Sequence, residues 1–135
     1  MTPAFPAAVP EIPVGNLDEA VRYYTECFGF TFDFGGSEGG IAGLSRGQCR
    51  VFLTDWANRQ FTGVPRRSII WLNLGNRDEV NELFGEWTRR GVRLFSAPEV
   101  KPWNLYEFTA ADPDENEVRV FHDLQPSGDA RGEAP

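Results

Sequence analysis

Few side chains in this sequence have the type and spacing needed for chemistry, and we find no nucleophile with a neighbouring base. The chain has one histidine, His122, near the end of a predicted strand, where a single imidazole is most often solvated or held by one hydrogen bond. Asp112 and Asp114 stand in the run Asp-Pro-Asp, which supplies local side-chain to backbone hydrogen bonds, so we interpret both as turn residues. Cys27 and Cys49 lack C-x-x-C spacing and are expected to be reduced thiols.

A tryptophan at the mouth of a strand is the best candidate for a ligand contact. Pro102 removes a backbone donor and favours extended neighbours, which places Trp103 at the entrance of a strand predicted over residues 103–111. The turn-forming run at 112–116 joins this strand to another at 118–121, and the two are predicted to form a β-hairpin. From the residues alone, the alternative that Trp103 is simply a core residue is preferred.

Length and charge limit the classes of protein and partner. The chain has 135 residues, enough for one domain with its own core, and a net charge of -7. It lacks the basic surface that nucleic-acid binding needs. The electrostatic field of its negative charge favours a cationic small molecule or a basic partner, although an acidic composition more commonly confers only solubility. Because it has neither a membrane-length apolar run nor a signal-peptide pattern, we expect a cytoplasmic protein.

The elements that must position these residues occur twice. Gly-Asn-Leu-Asp-Glu at 15–19 begins an amphipathic helix with Asn16 as its N-cap, and Gly-Asn-Arg-Asp-Glu at 75–79 repeats the pattern 60 residues later. Each helix follows one short strand and precedes three, which predicts an α+β fold of two tandem βαβββ units with curved mixed sheets. Pro10 and Pro13 mark the first strand as an edge or exchanged strand.

These predictions divide the chain into three parts. Residues 1–7 form an N-terminal arm, residues 8–124 form a single domain, and residues 125–135 form a flexible tail. Within the domain, the first repeat spans about residues 8–56 and the second about residues 68–123.

The duplicated unit, its opening Val-Pro…Asn-Leu-Asp-Glu-Ala-Val-Arg-Tyr-Tyr…Phe-Gly-Phe and its closing Asp-Pro-Asp-x-Asn resemble the vicinal-oxygen-chelate superfamily, which includes glyoxalase I and extradiol dioxygenases. The resemblance covers roughly residues 8–123. Enzymes of that superfamily chelate a metal through His, Glu or Gln at four strand positions, and alignment of the two halves places these at Val9, Val51, Ile69 and Arg119. None is a plausible ligand, and the guanidinium at the fourth position would repel a divalent ion.

A one-residue change of strand register would alter which carboxylates lie near the cavity in which enzymes of the superfamily bind their metal. It would bring Glu11, Glu107 or Glu117 nearer without creating a set of histidine and carboxylate ligands. Metal-dependent chemistry is therefore not expected, and we predict no metal and no cofactor.

Within the superfamily, the chain is most similar to the bleomycin resistance proteins, which bind and sequester their drug without altering it. The specific features are Pro-Trp at 102–103, Glu-Phe at 107–108 and Asp-Pro at 112–113. The resemblance implies a homodimer with an exchanged N-terminal strand and two drug-binding grooves, lined by aromatic and acidic side chains, at the dimer interface. Carried over position by position, the groove residues are Asp33, Phe34, Ile41, Thr54, Trp71 and Trp103.

The leading hypothesis is a non-catalytic protein that confers resistance by sequestering a bleomycin-type cationic glycopeptide, whose planar rings stack on aromatic faces in an acidic groove. The alternatives are a binder of another planar or cationic metabolite, and a metal-dependent lyase, isomerase or dioxygenase on the same fold. At the level of residues, Phe34 and Trp71 could face the core instead, because a one-residue slip reverses the face. Asp33 could be an ordinary rim carboxylate and Thr54 an ordinary strand hydroxyl.

Overall fold

The computed structural model describes residues 2–55 and 67–124. The flexible tail expected at 125–135, and nearly all of the connection between the repeats, lie outside the described residues. The chain divides into two units, Met1–Ser68 and Ile69–Pro135. The first contains β1 (Glu11–Val14), α1 (Leu17–Glu26), β2 (Thr31–Gly36), β3 (Ile41–Arg46) and β4 (Cys49–Asp55). The second contains β5 (Ile69–Asn73), α2 (Arg77–Arg90), β6 (Arg93–Leu94), β7 (Glu99–Val100), β8 (Leu105–Ala111) and β9 (Glu117–Asp123).

The first unit is a four-stranded sheet with one helix against it. Its strand order is β1-β4-β3-β2, in which β1 and β4 are parallel and the other pairs antiparallel. Strand β1 lies at an edge, as its prolines predict, and pairs with β4 of its own chain; its exchange between subunits stays a prediction. Alternate residues of these strands form the buried face, which packs with α1: Ile12, Val14, Ala42, Leu44, Val51 and Leu53.

Both helices begin where the repeated motif predicts. The side-chain oxygen of Asn16 accepts a hydrogen bond from the Glu19 backbone N–H at 3.0 Å, and Asn76 accepts one from Glu79 at 2.8 Å. These bonds satisfy two of the backbone donors that a helix start leaves open. Helix α2 ends at Gly91, whose φ of 82° lies in the left-handed region that glycine adopts without a Cβ clash.

The second unit repeats this architecture and adds one short strand. Its sheet has the order β5-β9-β8-β6, again with one parallel pair, β5 with β9, while β7 also pairs with β8. Helix α2 covers one face of the sheet, because the rings of Phe84 and Trp87 contact the ring of Phe108 at centroid distances of 5.3 and 5.9 Å. Since side chains alternate along a strand, Glu107 and Thr109 point to the other face. The predicted α+β fold of two βαβββ units is thus confirmed.

The hairpin predicted near the end of the chain is confirmed, although β8 begins two residues later than predicted and β9 extends beyond the predicted residues 118–121 at both ends. Strands β8 and β9 are antiparallel, and Asp112 holds the turn by accepting hydrogen bonds from the backbone N–H groups of Asp114 (2.8 Å) and Asn116 (2.9 Å). Strand β8 begins at Leu105, so the prediction that the strand starts at Trp103 was wrong. The intervening Asn104 has a φ of 69°, a left-handed conformation that ends extended pairing.

Within the described residues, neither helix is long and apolar enough to span a membrane.

Candidate functional site

Each sheet has a second face, opposite the one buried with its helix, and the six predicted ligand-binding residues lie on or beside these two faces. The register of the strands assigns the members, because residues paired across a ladder share a face. We call the face in the first unit the first open face; it comprises Glu11, Phe34, Ile41, Arg50, Phe52 and Thr54. The second open face includes Trp71, Glu107, Glu117, Arg119 and Phe121, and the Trp103 side chain, which precedes β8, joins it through its hydrogen bond to Glu107.

A buried carboxylate links the side chains of the second open face. Glu107 is only 1% exposed. One of its oxygens, Oε1, accepts a hydrogen bond of 2.8 Å from the indole Nε1 of Trp103, and the other, Oε2, lies 4.0 Å from Nη1 of Arg119. Because a buried carboxylate is costly unless it is paired and hydrogen-bonded, these two partners offset the cost of burying Glu107 where it lies.

Arg119 continues this arrangement to the second tryptophan. Its Nε and Nη2 donate to Oε1 of Glu117 at 3.1 and 3.0 Å, and its guanidinium carbon lies 5.2 Å from the centre of the Trp71 ring. The Trp71 ring in turn meets the Phe121 ring edge-on at 5.7 Å. Trp71 is 46% exposed and Trp103 is 54% exposed. The second open face therefore presents two half-exposed indoles joined by a chain of charged side chains.

On the first open face, an aromatic pair lies on a glycine. The rings of Phe34 and Phe52 are 5.6 Å apart at an angle of 81°, and the guanidinium carbon of Arg50 lies 5.7 and 5.2 Å from their centres. The Phe34 ring occupies the space above Gly43, where a Cβ would come within 2.2 Å of its Cε1 atom. Only glycine therefore lets this ring lie so close to β3.

Asp33 lies at a bulge beside this aromatic pair. The register of β2 against β3 shifts between Phe32 and Phe34, and a bulge of this kind re-aims the side chain of its extra residue. The carboxylate accepts a hydrogen bond of 3.2 Å from the Ser45 hydroxyl and lies 4.0 Å from Nε of Arg50. The negative charge expected to attract a cation is thus partly balanced by a cation of the protein itself.

Thr54 and Ile41 lie opposite each other on the first open face. The Thr54 side chain is fully buried, and its hydroxyl donates a hydrogen bond of 3.0 Å to Oε2 of Glu11, while Ile41 is partly exposed. The Thr54 hydroxyl therefore holds the Glu11 carboxylate, which is a structural use for a residue predicted to contact ligand.

The positions that correspond to the metal ligands of the resembling superfamily can now be read from the strand register. Glu11 pairs with Phe52 across β1 and β4, and Trp71 pairs with Arg119 across β5 and β9. Because Glu11 and Trp71 are 60 residues apart, as the repeats are, Phe52 is the counterpart of Arg119. The alignment that placed this position at Val51 was off by one residue, and Val51 lies on the buried face.

The corrected set remains unsuitable for a metal ion. An aliphatic side chain at Val9 or Ile69 and the ring of Phe52 offer no lone pair, and Arg119 carries a positive charge. In the part of the chain that the structure describes, no group of three or more His, Cys, Asp and Glu residues could hold a metal ion. The donor set therefore does not fit the metal that the fold's enzymes use.

The remaining chemistry-bearing side chains lie apart from both open faces. Nδ1 of His122 is 3.0 Å from the carbonyl oxygen of Leu74, which is the single hydrogen bond expected for this histidine. His122 also lines a pocket of about 360 Å³ at the start of α2, together with Asn76, Arg77, Asp78 and Leu124. In the part of the chain that the structure describes, Cys27 and Cys49 form no disulfide, and burial raises the pKa of the Cys49 thiol.

Three residues that organise these faces were not among the predicted site residues: Arg50, Phe52 and Glu107. From the sequence, Glu107 was named as part of the motif shared with the bleomycin resistance proteins and as a carboxylate that a register change would bring nearer the cavity, but it was not predicted to contact Trp103. One signal was present, since a glutamate between Tyr106 and Phe108 in a strand of largely apolar residues needs a partner once it is buried. The identity of that partner depends on the turn at Asn104, which the sequence pattern did not indicate.

The chain contains two βαβββ units, and each unit has an open sheet face. This arrangement defines a protein of the paired βαβββ class. The chain belongs to the Glyoxalase/Bleomycin resistance protein/Dioxygenase superfamily, whose family model matches residues 7–120.

Solved structures with the same fold include proteins with different names. A glyoxalase/bleomycin resistance protein/dioxygenase from Nocardioides is 22% identical, with a TM-score of 0.74 over 93% of this chain and 89% of that chain. Lactoylglutathione lyase from Agrobacterium tumefaciens is 18% identical, with a TM-score of 0.72 over 90% and 96%. TioX from a Micromonospora species is 20% identical, with a TM-score of 0.68 over 88% and 100%. No curated protein matches the chain. At these identities the structural likeness shows the fold alone.

Proposed function

We propose that this protein is a non-catalytic binding protein that sequesters a planar, cationic small molecule of the bleomycin type and thereby confers resistance to it. The observation that carries the proposal is the second open face, where Trp103 and Trp71 are half-exposed and joined through Glu107 and Arg119. This aromatic surface supports the proposal, as does the finding that no group of three or more His, Cys, Asp and Glu among the described residues could hold a metal ion.

Two indoles on one sheet face suit a planar ligand. Each offers a large flat surface, and a stacked aromatic contact contributes about 0.5–1.5 kcal/mol beyond the area that it buries. Arg119 lies against one side of Trp71, and Glu107 holds the edge of Trp103, so both rings lose little freedom when a ligand binds. Stacking on preorganised rings can support tight binding without a catalytic group.

Charge has a longer-range role in this proposal. Three carboxylates on or beside the open faces are already engaged: Glu107 by Trp103 and Arg119, Glu117 by Arg119, and Asp33 by Ser45 and Arg50. The net charge of -7 still attracts a cation from solution and raises its rate of encounter. We therefore expect added salt to lower the association rate constant more than it raises the dissociation rate constant.

The homodimer implied by the bleomycin resistance proteins is part of this proposal, as is the exchange of the N-terminal strand. Its support is the edge position of β1, which presents a short, proline-containing strand that a second chain can accept in place of its own. Light scattering of the purified protein tests the dimer directly.

The function is tested by calorimetric titration of metal-analysed protein with metal-free bleomycin, with tryptophan fluorescence followed in parallel. We expect saturable binding near one drug per subunit, and Trp103→Ala should weaken it by about ten- to hundred-fold. Phe32→Ala is the matched control, because Phe32 is 46% exposed but pairs with Leu44 of the buried face. Absence of binding, or equal weakening by both substitutions, would refute the proposal.

A second candidate function is metal-dependent catalysis, because a lactoylglutathione lyase has the same fold. It requires stoichiometric metal, whereas the corresponding positions hold Phe52, Ile69 and Arg119. Equilibrium dialysis against Zn²⁺, Ni²⁺ and Mn²⁺ distinguishes the two: binding of one ion per chain would favour the enzyme. A third candidate, a binder of another planar or cationic metabolite, would share the aromatic surface and differ in ligand.

A further inference from the structure

We propose that Glu107 is a positioning residue, which fixes the orientation of the Trp103 indole and so sets the affinity of the second open face for a planar ligand. The inference rests on the proposed function and deepens it, because it assigns a measurable part of the ligand affinity to the hydrogen bond between Glu107 and Trp103. Glu107 itself is buried, so its effect on a ligand passes through the tryptophan.

The backbone around Trp103 is held by a closed turn. Lys101 and Leu105 are joined by a hydrogen bond from the Lys101 N–H to the Leu105 carbonyl at 2.8 Å, and the Asn104 N–H donates to the Lys101 carbonyl at 2.9 Å. The Asn104 carbonyl also accepts from the N–H of Leu124 at 3.1 Å. These bonds leave the side-chain torsions of Trp103 as its main freedom.

The hydrogen bond to Glu107 removes that remaining freedom. The indole Nε1–H is the only polar group of a tryptophan side chain, and it is a donor only. If the ring rotated away, Oε1 of Glu107 would lose its 2.8 Å partner, which a buried carboxylate loses only at a cost in free energy. A half-exposed indole is therefore held by one edge, with its ring surface left available to a ligand.

The same carboxylate is near the cation that contacts the other indole. Oε2 of Glu107 lies 4.0 Å from Arg119, whose guanidinium lies 5.2 Å from the Trp71 ring centre. Loss of the carboxylate would leave Arg119 its pairing with Glu117, at 3.0 Å. Removal of Glu107 should thus release Trp103 selectively, while Arg119 remains over Trp71.

The first test uses the free protein and the NMR signal of the Trp103 indole hydrogen, identified by its loss in Trp103→Phe. In Glu107→Ala we expect this hydrogen to exchange with solvent about ten-fold faster or more, with a changed chemical shift. Glu107→Gln keeps an oxygen that can accept the bond, so it should restore most of the protection. An unchanged signal in Glu107→Ala would overturn the proposal.

The second test is a double-mutant cycle for metal-free bleomycin. Glu107→Ala should weaken binding about ten-fold in the natural sequence but hardly at all in the Trp103→Phe background, because the residue it positions is then absent. Equal weakening in both backgrounds would mean that Glu107 acts through general structure, and would overturn the proposal. Far-ultraviolet circular dichroism and thermal melting show whether each variant is folded.

The two tests separate failure of the inference from failure of the proposed function. If the natural protein does not bind bleomycin, the proposed function fails, and with it the assignment of Glu107 to bleomycin affinity. The exchange measurement still decides whether Glu107 holds Trp103. If the natural protein binds bleomycin and Glu107→Ala alters exchange without altering affinity, the positioning role alone is overturned.

Discussion

The guanidinium carbon of Arg119 lies 5.2 Å from the centre of the Trp71 ring, which is its partner across the parallel strands β5 and β9. Because the same side chain is near the buried Glu107 and is hydrogen-bonded to Glu117, it should stabilise the fold as well as the ring. We expect Arg119→Ala to lower the free energy of unfolding by about 1–3 kcal/mol.

Urea denaturation measures this difference. The control is Arg90→Ala, which removes a surface pair with Glu86 one helical turn away and should cost at most about 0.5 kcal/mol. Equal losses from the two substitutions would contradict a special role for Arg119.

Gly43 should tolerate no side chain while Phe34 lies over it. The Cβ of Gly43→Ala would come within 2.2 Å of the Phe34 ring, so the ring must move, and we expect a loss of about 1–3 kcal/mol in unfolding free energy. Gly36→Ala is the matched control, since nothing lies within 4 Å of its added Cβ. The clash predicts that Phe34→Leu restores part of the stability lost by Gly43→Ala, and denaturation of the double variant checks this.

The Thr54 hydroxyl should act on stability more than on ligand affinity. Thr54→Val keeps the shape but removes the donor to the Glu11 carboxylate, and we expect it to cost about 1–2 kcal/mol of unfolding free energy. Thr54→Ser retains the hydroxyl and should keep most of the hydrogen-bond energy. A large loss of bleomycin affinity in Thr54→Val without a loss of stability would instead assign this hydroxyl to the ligand.

Asp112 should be a structural residue of the hairpin turn. Its carboxylate accepts from two backbone N–H groups and from the Asn116 amide nitrogen at 2.9 Å, and the side chain is fully buried. We expect Asp112→Ala to lower stability by about 2–4 kcal/mol, because three donors lose their acceptor. Asp112→Asn, which keeps one carbonyl oxygen, should cost less, and thermal melting of both variants tests the order.

Burial should make Cys49 a slow nucleophile. Its raised pKa means that less thiolate is present at a given pH, so alkylation by iodoacetamide should begin only above the pH range of an ordinary thiol. Cys27→Ser leaves Cys49 as the chain's one thiol, and alkylation rate against pH measures the shift.

The same shift determines the sign of a pH effect on stability. Above the ordinary thiol pKa, the unfolded chain loses this proton before the folded chain does. The contribution of Cys49 to stability is therefore complete below that pKa and is lost as pH rises towards the raised value. An alkylation midpoint at or below the ordinary thiol value would contradict the burial of Cys49.

The repeated architecture follows from local patterns. Asn16 and Asn76 cap the two helices through nearest-turn hydrogen bonds, and Asp112 holds its turn through bonds within four residues. Such interactions involve only neighbours in the chain, so their signatures are present in the sequence. The two βαβββ units and the final hairpin could therefore be predicted, whereas the short strand β7 was not.

The organisation of the open faces was decided by tertiary structure. Phe52, and not Val51, lies on the first open face because the register of β4 differs by one residue from the predicted alignment. Successive side chains of a strand point to opposite faces, so a one-residue difference reverses the face. The pairing of Trp103 with Glu107 depends on a left-handed residue at Asn104, and that of Arg119 with Trp71 joins strands 48 residues apart. The sequence by itself determined the class of fold and the aromatic residues that are candidates for ligand contact. Only long-range strand pairing determined which of these aromatic residues share a sheet face and which charged side chains contact them.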